Sequence, residues 1–233
     1  MTNRFFHGVK DGIPIGLGYL SVSFTFGLAA VAAGIPVWAA IVISMTNLTS
    51  AGQFAGISMI AATAGYLEVA LSQLVINLRY ALMSVSLSQK ISKSVNTLSR
   101  LGISFGITDE IFAVSSTKEG KVGGRYMGGL MLAPYLGWTL GTVLGAVAGT
   151  LLPPSVQSAL GIAIYGMFLA IIIPPAKKSF PVFFVLMVAV ACSCLFRYLP
   201  ALAGVSQGFV IIICGLLAAG LGAVLFPEKE DEA

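Results

Sequence analysis

The sequence predicts an all-α polytopic membrane protein, with about six to seven transmembrane helices plus one or two re-entrant or broken helical segments. Composition is the first reason. Of 233 residues, 57% are hydrophobic and 9% charged, whereas soluble domains carry roughly 25% charged residues. The second reason is length: uncharged apolar runs recur along the whole chain, and most approach the roughly 20 residues that cross a bilayer core of about 30 Å. Thirdly, two of these runs are polar at their centres, where lipid tolerates no irregular backbone. Every loop is short. The expected organisation is an N-terminal surface segment (1–12), one transmembrane domain (13–226) and an acidic C-terminal tail (227–233).

Arg4, Phe5, Phe6 and Lys10 suit a short amphipathic segment on the membrane surface. The first span is expected over Ile13–Ala33, with Pro14 in its first turn, and Gly34-Ile35-Pro36 ends it. It is too long for the apolar core of a signal peptide. Val37–Ala62 is long enough to cross, but its centre reads Thr46-Asn47-Leu48-Thr49-Ser50-Ala51-Gly52-Gln53. Polar and small residues together at that depth predict an interrupted helix or a hairpin.

Tyr66–Gln89 is the next span, with Arg79 near its middle. An arginine at that depth costs at least about 3 kcal/mol on insertion scales, so it faces protein or water. Gln73, Asn77, Tyr80, Ser84 and Ser88 form a stripe at helical spacing, and Arg79 is expected to point away from it. Leu101–Thr117 is too short to cross at about 1.5 Å per residue and holds Asp109 and Glu110 near its middle. Further spans are expected over Tyr126–Leu152, Val156–Ile173, Phe180–Tyr198 and Ser206–Phe226.

Charge gives a topology. Lysine and arginine in short loops mark the cytoplasmic side. The loops with Lys90, Lys93 and Arg100, with Lys118, Lys121 and Arg125, and with Lys177 and Lys178 are therefore placed inside. The first two flank Leu101–Thr117, which must then enter and return as a re-entrant hairpin centred on Thr108-Asp109-Glu110. With Arg4 and Lys10 also inside, a full crossing by Val37–Ala62 would strand Lys90 outside. Either that segment is a hairpin broken near Asn47–Gln53, giving six crossings, or the N-terminus is outside, giving seven. The hairpin also explains the polar centre. Both versions leave the C-terminus in the cytoplasm.

The candidate chemistry follows from the same residues. Asn47, Ser50, Gly52 and Gln53 sit where a second half-helix would begin and offer N–H groups to a carboxylate. Asn77, Arg79 and Tyr80 are the matching candidates on the long span. Asp109 and Glu110 are the acids placed to pair with Arg79 or to carry a proton, since a membrane carboxyl lacking a partner charge binds protons more readily than one in water. Gly137, Gly141, Gly145 and Gly149 recur every four residues, a ridge for close helix packing.

Several function classes are excluded. The net charge of +4 is spread over loops and forms no nucleic-acid-binding face. Catalytic residues are expected to be none, because the one histidine, His7, precedes the first span. Cys192, Cys194 and Cys214 read as small apolar residues within spans, so no metal site and no cofactor are expected. No phosphate-binding Gly-x-x-x-x-Gly-Lys-Ser/Thr motif is present, so the chain itself does not use ATP.

Ser50-Ala51-Gly52-Gln53-Phe54-Ala55, Asn77-Leu78-Arg79-Tyr80, Thr108-Asp109-Glu110, Trp138 at the start of the glycine ridge, and the pairs Pro153-Pro154 and Pro174-Pro175 together resemble the AzlC-type branched-chain amino acid permeases. The resemblance runs from about Gly12 to Lys178; the chain departs at Tyr80, where the family usually has histidine. It implies the large subunit of a two-component system in the cell (inner) membrane. Such a subunit exports valine, leucine, isoleucine and in some members methionine, driven by the proton gradient or the membrane potential, with a small AzlD-type membrane protein as partner. The competing readings are a non-transporting membrane scaffold or sensor subunit, in which Arg79, Asp109 and Glu110 serve folding alone, and a channel for another small solute.

Overall fold

The computed structural model describes residues 3–153, 155–156, 169, 172–202 and 204–227. The expected span Val156–Ile173 and the acidic tail beyond Pro227 lie largely outside these residues, as does Pro154. Helices run α1 (Phe5–Ala32), α2 (Val37–Thr46), α3 (Ala51–Ala61), α4 (Tyr66–Lys90), α5 (Thr97–Phe105), α6 (Asp109–Ser116), α7 (Gly124–Leu151), α8 (Phe180–Tyr198) and α9 (Gln207–Leu225). Among the described residues, α1, α4, α7, α8 and α9 are long and apolar enough to cross a membrane. The chain divides into two compact units, Met1–Ser58 with Asn77–Gly161, and Met59–Ile76 with Ile162–Ala233.

The first unit is built on α1 and α7. A Cβ placed on Gly16 would lie 2.6 Å from the Ala133 carbonyl oxygen, and one on Gly137 would lie 3.0 Å from Gly16 Cα. Gly141 faces the Leu20 carbonyl and Gly145 the Phe24 carbonyl in the same way, while Gly149 meets Val31 at an ordinary 3.4 Å. The partners climb together along both helices, so α1 and α7 run parallel. Lipid gives no hydrophobic drive for helix association, and backbone-to-backbone contact of this kind replaces it. The α7 ridge alone was legible in the sequence; α1 answers with its own Gly8, Gly12 and Gly16.

Two details of α1 differ from expectation. The helix starts at Phe5 rather than Ile13, so residues 5–12 form its first turns, and Pro14 lies inside it rather than in its first turn. Gly8 and Gly12 anchor that early stretch on the α7 backbone at Leu130, and packing of this sort lets a membrane helix absorb a proline.

The N-terminal ends of α1 and α7 meet. Asn3 Oδ1 accepts from Arg125 N at 3.0 Å, and Asp11 Oδ2 is 2.8 Å from Lys118 Nζ. The end of α4 joins them, since Ile91 bridges Val122 and Ser92 N donates to the Val122 carbonyl at 2.9 Å. The two basic loops therefore share one end with the N-terminus. The chain between them, α5 and α6, leaves that end and returns to it as a broken re-entrant pair. Leu87, Ile103, Ile107, Ile111, Tyr126 and Leu130 form the buried cluster that seats it.

The segment Val37–Ala62 is broken as well, into α2 and α3. Gln53 Nε2 donates to Ser44 Oγ at 3.0 Å; in a continuous helix nine positions would separate them by about 13 Å along the axis. Phe54 then meets Phe26 of α1, ring centroids 5.4 Å apart, so α3 turns back toward the end of α1 from which α2 came. Of the two ways to keep Lys90 in the cytoplasm, the hairpin is the one that agrees with Lys90 and the N-terminus sharing one end.

In the second unit, α8 and α9 pack together: Phe226, just past α9, lies between Phe180 and Phe184 at 6.0 and 5.5 Å, and Gly222 faces Val185. Glu68 Oε1 accepts from Gly208 N, in the first turn of α9, at 2.8 Å.

Candidate functional site

Both hairpin breaks lie in the first unit. At the first, Asn47 is extended and its Oδ1 accepts from Thr49 N at 3.0 Å. Ser50 has φ +47°, a left-handed conformation that costs a non-glycine residue about 1–2 kcal/mol. Gly52 and Gln53 are buried in the first turn of α3. Gln53 leads into a buried polar chain, because Ser44 Oγ is also 2.7 Å from Thr142 Oγ1 on α7. Gln53 Oε1 and Thr49 Oγ1 are buried with no protein partner among the described residues. Tyr135 on α7 fastens the end of α2, its hydroxyl donating to the Met45 carbonyl at 3.2 Å.

The second break, at Gly106–Thr108, has an ordinary cause. Thr108 is the N-cap of α6, its Oγ1 accepting from Ile111 N, and Asp109 and Glu110 follow in the first turn, where the positive end of the helix favours acids. Asp109 Oδ2 lies 2.7 Å from Arg79 Nη1. The sequence left Asp109 and Glu110 as equal partners for Arg79, and the geometry gives Asp109. Glu110 instead accepts a short hydrogen bond from the Tyr19 hydroxyl of α1.

Arg79 does not point away from the polar stripe. Its Nη2 donates to the Tyr80 hydroxyl at 3.2 Å, and the guanidinium carbon sits 5.0 Å from that ring's centre. The side chain is long enough to wrap back around the helix by one position, which a wheel of Cβ directions misses. The Arg79 and Asp109 side chains stay 46% and 47% exposed. Asn77 lies half-buried two positions before Arg79.

Four residues of this region were not singled out from the sequence as ligands. Ser44, Thr142 and Tyr19 are isolated polar residues inside apolar spans, which was the available signal. Trp138 packs edge-on against Tyr19, centroids 5.3 Å apart, and is 1% exposed with its indole N–H unpartnered among the described residues. Between the breaks lies a cavity of about 200 Å³ whose lining includes Leu48, Gly106, Gly128, Met131 and Tyr135. Among the described residues, no three His, Cys, Asp or Glu side chains gather as metal ligands would.

Parallel-packed spanning helices, two helical hairpins broken at polar residues and an ion pair at one break define a membrane protein of transporter type. The chain belongs to the AzlC family: residues 14–152 match the family described as AzlC protein. It is 31% identical over 225 residues to the inner membrane protein YgaZ of Escherichia coli (strain K12), covering 92% of this chain and 89% of that one. An uncharacterized membrane protein of Archaeoglobus fulgidus is 34% identical over 176 residues, covering 74% and 76%. One from Helicobacter pylori (strain 26695) is 28% identical over 156 residues, covering 64% and 67%. No solved structure matches the chain.

Proposed function

We propose that this protein is the large subunit of a two-component exporter of branched-chain amino acids, driven by the proton gradient or the membrane potential. The observation that carries the reading is the pair of broken hairpins, the first with its polar groups buried on α2 and α7 and the second with its acids on Arg79 and Tyr19. Transporters bind substrate where discontinuous helices expose such groups, half-helix N-termini facing anions. A zwitterionic apolar substrate needs an anion site, a cation site and an apolar pocket. The start of α3 at Ser50–Gln53 suits a carboxylate. Gln53 Oε1 and the acids Asp109 and Glu110 suit an ammonium group. Arg79, already paired with Asp109, acts by exchanging that partner for the substrate carboxylate during the cycle, which frees Asp109 to take up a proton.

The remaining parts follow from the same reading. Residues 13–226 work as one transport domain, in a cell (inner) membrane, with the basic loops, the N-terminus and the C-terminus in the cytoplasm. The half-exposed Arg79–Asp109 pair calls for cover at membrane depth, which a small AzlD-type subunit supplies.

The test is export. Cells loaded with dipeptides of valine, leucine, isoleucine, methionine or a polar control are compared with and without this protein, and with and without the small partner. Faster efflux of the branched-chain residues that needs the partner is the expected result. Equal efflux for every amino acid, with the protein present in the membrane, overturns the reading in favour of a scaffold or another solute.

A further inference from the structure

We propose that α1–α2–α3 and α4–α5–α6 are two inverted copies of one plan, and that the cavity where their breaks meet holds the side chain of the transported amino acid. The inference rests on the amino-acid reading above and adds the place and shape of the specificity pocket.

The two halves match element by element. Long helices of 28 and 25 residues come first. Short helices of 10 and 9 residues follow, then a break, then short helices of 11 and 8 residues. The breaks match in sequence as well: Leu48-Thr49-Ser50 precedes α3, and Ile107-Thr108-Asp109 overlaps the start of α6. The copies run in opposite directions. α1 begins at the end of the first unit shared by the N-terminus and the basic loops, whereas α4 finishes there. The α2–α3 hairpin is entered after α1 has left that end, and the α5–α6 hairpin is entered from it. Each hairpin therefore reaches inward from its own side.

The cavity is where both arrive, with Leu48 from one break and Gly106 from the other on its walls. Non-helical backbone at membrane depth is tolerated where it is buried in protein or lines a cavity, and here both irregular stretches border the same one. Its remaining walls are Phe105 at the end of α5 and, from α7, Gly128, Met131, Leu132 and Tyr135, apolar but for the Tyr135 hydroxyl held on α2. That chemistry suits an uncharged aliphatic side chain whose polar head group lies at the breaks.

Two substitutions change the volume in opposite senses. Among the described residues a Cβ on Gly128 would meet nothing within 4 Å, so a side chain there starts into open space and Gly128→Val narrows the cavity, whereas Met131→Ala opens it. Export of valine, leucine and phenylalanine is measured in intact cells for each variant at matched membrane levels. Gly128→Val is expected to lower leucine relative to valine by about tenfold, and Met131→Ala to raise phenylalanine relative to valine by a similar factor, the usual range for a methylene in an apolar pocket. Substrate ratios unchanged from wild type in both variants overturn the assignment and leave the cavity to lipid. A wild-type protein that exports none of the three overturns the amino-acid reading itself, and the pocket with it.

Discussion

The guanidinium of Arg79 on α4 lies 2.7 Å from the carboxylate of Asp109 in the first turn of α6. The contact ties a spanning helix to the returning half of a re-entrant hairpin. Two favourable terms act on Asp109, the arginine charge and the positive end of α6. Among the described residues, Arg79 has a single carboxylate at salt-bridge distance and one neutral hydroxyl, that of Tyr80.

Removing either charge therefore has unequal consequences. Asp109→Ala leaves a cation at membrane depth without its counter-ion. A half-exposed pair falls between the roughly 0–1 kcal/mol of surface pairs and the 3–5 kcal/mol lost on breaking a buried one. A loss of about 1–3 kcal/mol is expected, read as a lower melting temperature in detergent. Reversing the pair, Arg79→Asp with Asp109→Arg, should recover part of the melting temperature but not export, because the charges then face the wrong way for an amino acid. Full export by the reversed pair would reduce these residues to a folding role.

Tyr80 supplies the second contact to the same guanidinium. Tyr80→Phe keeps the ring beneath Arg79 and deletes the acceptor. A hydrogen bond to a charged group contributes about 1.5–3 kcal/mol, so export should fall about tenfold or more if Arg79 must be held in this pose. Tyr80→His restores an acceptor and should restore most of the rate. A phenylalanine variant as fast as the wild type would show that the ring alone matters.

The parts of this arrangement that could be read in the sequence are those that break a pattern locally. Asn47–Gln53 and Thr108–Glu110 interrupt apolar runs, and charge in the flanking loops forces Leu101–Thr117 to return. The glycine ridge on α7 was visible because its period of four is regular. Its partner was not, because Gly8, Gly12 and Gly16 lie partly in the stretch that composition assigned to the membrane surface. Arg79's choice of Asp109 over Glu110 depends on where α6 starts and on which way Tyr19 reaches, and both are tertiary. The cavity depends on two breaks meeting, which no single segment encodes.

The Gln53–Ser44–Thr142 chain joins α3, α2 and α7 through one hydroxyl. Ser44→Ala leaves a buried amide and a buried hydroxyl without that partner, at about 1–3 kcal/mol for a stranded group. Adding Thr142→Val removes one of the stranded groups and should recover part of the loss. Melting temperatures of the single and double variants measure this directly; purely additive losses would show that the three side chains are not coupled.

The α1–α7 contact sorts glycines by position rather than by type. A Cβ on Gly145 would lie 2.7 Å from the Phe24 carbonyl carbon, which is backbone and cannot step aside, whereas one on Gly18 meets nothing within 4 Å. Gly145→Ala should push the two helices apart and cost about 1–3 kcal/mol, the range for overpacking. Gly18→Ala on the same pair of helices should be neutral or slightly stabilising, since alanine favours helix by about 1 kcal/mol. Similar melting temperatures for both variants would mean that close approach does not hold this pair.

In the second unit, the Glu68 carboxylate takes the place of a side-chain N-cap for α9. Ser206 precedes that helix without capping it through its own side chain, and Glu68 Oε1 accepts from Gly208 N at 2.8 Å. The contact holds the start of α9 against the start of α4. Loss of a cap costs about 0.5–2 kcal/mol, and a negative charge near the helix start adds about 0.3–1 kcal/mol. Glu68→Gln keeps an acceptor and loses the charge, so it should cost the smaller amount. Glu68→Ala loses both and should cost more, with the difference seen as faster hydrogen exchange in the first turn of α9. Unchanged exchange at residues 207–210 in the alanine variant would show that the helix start is held by its apolar packing alone.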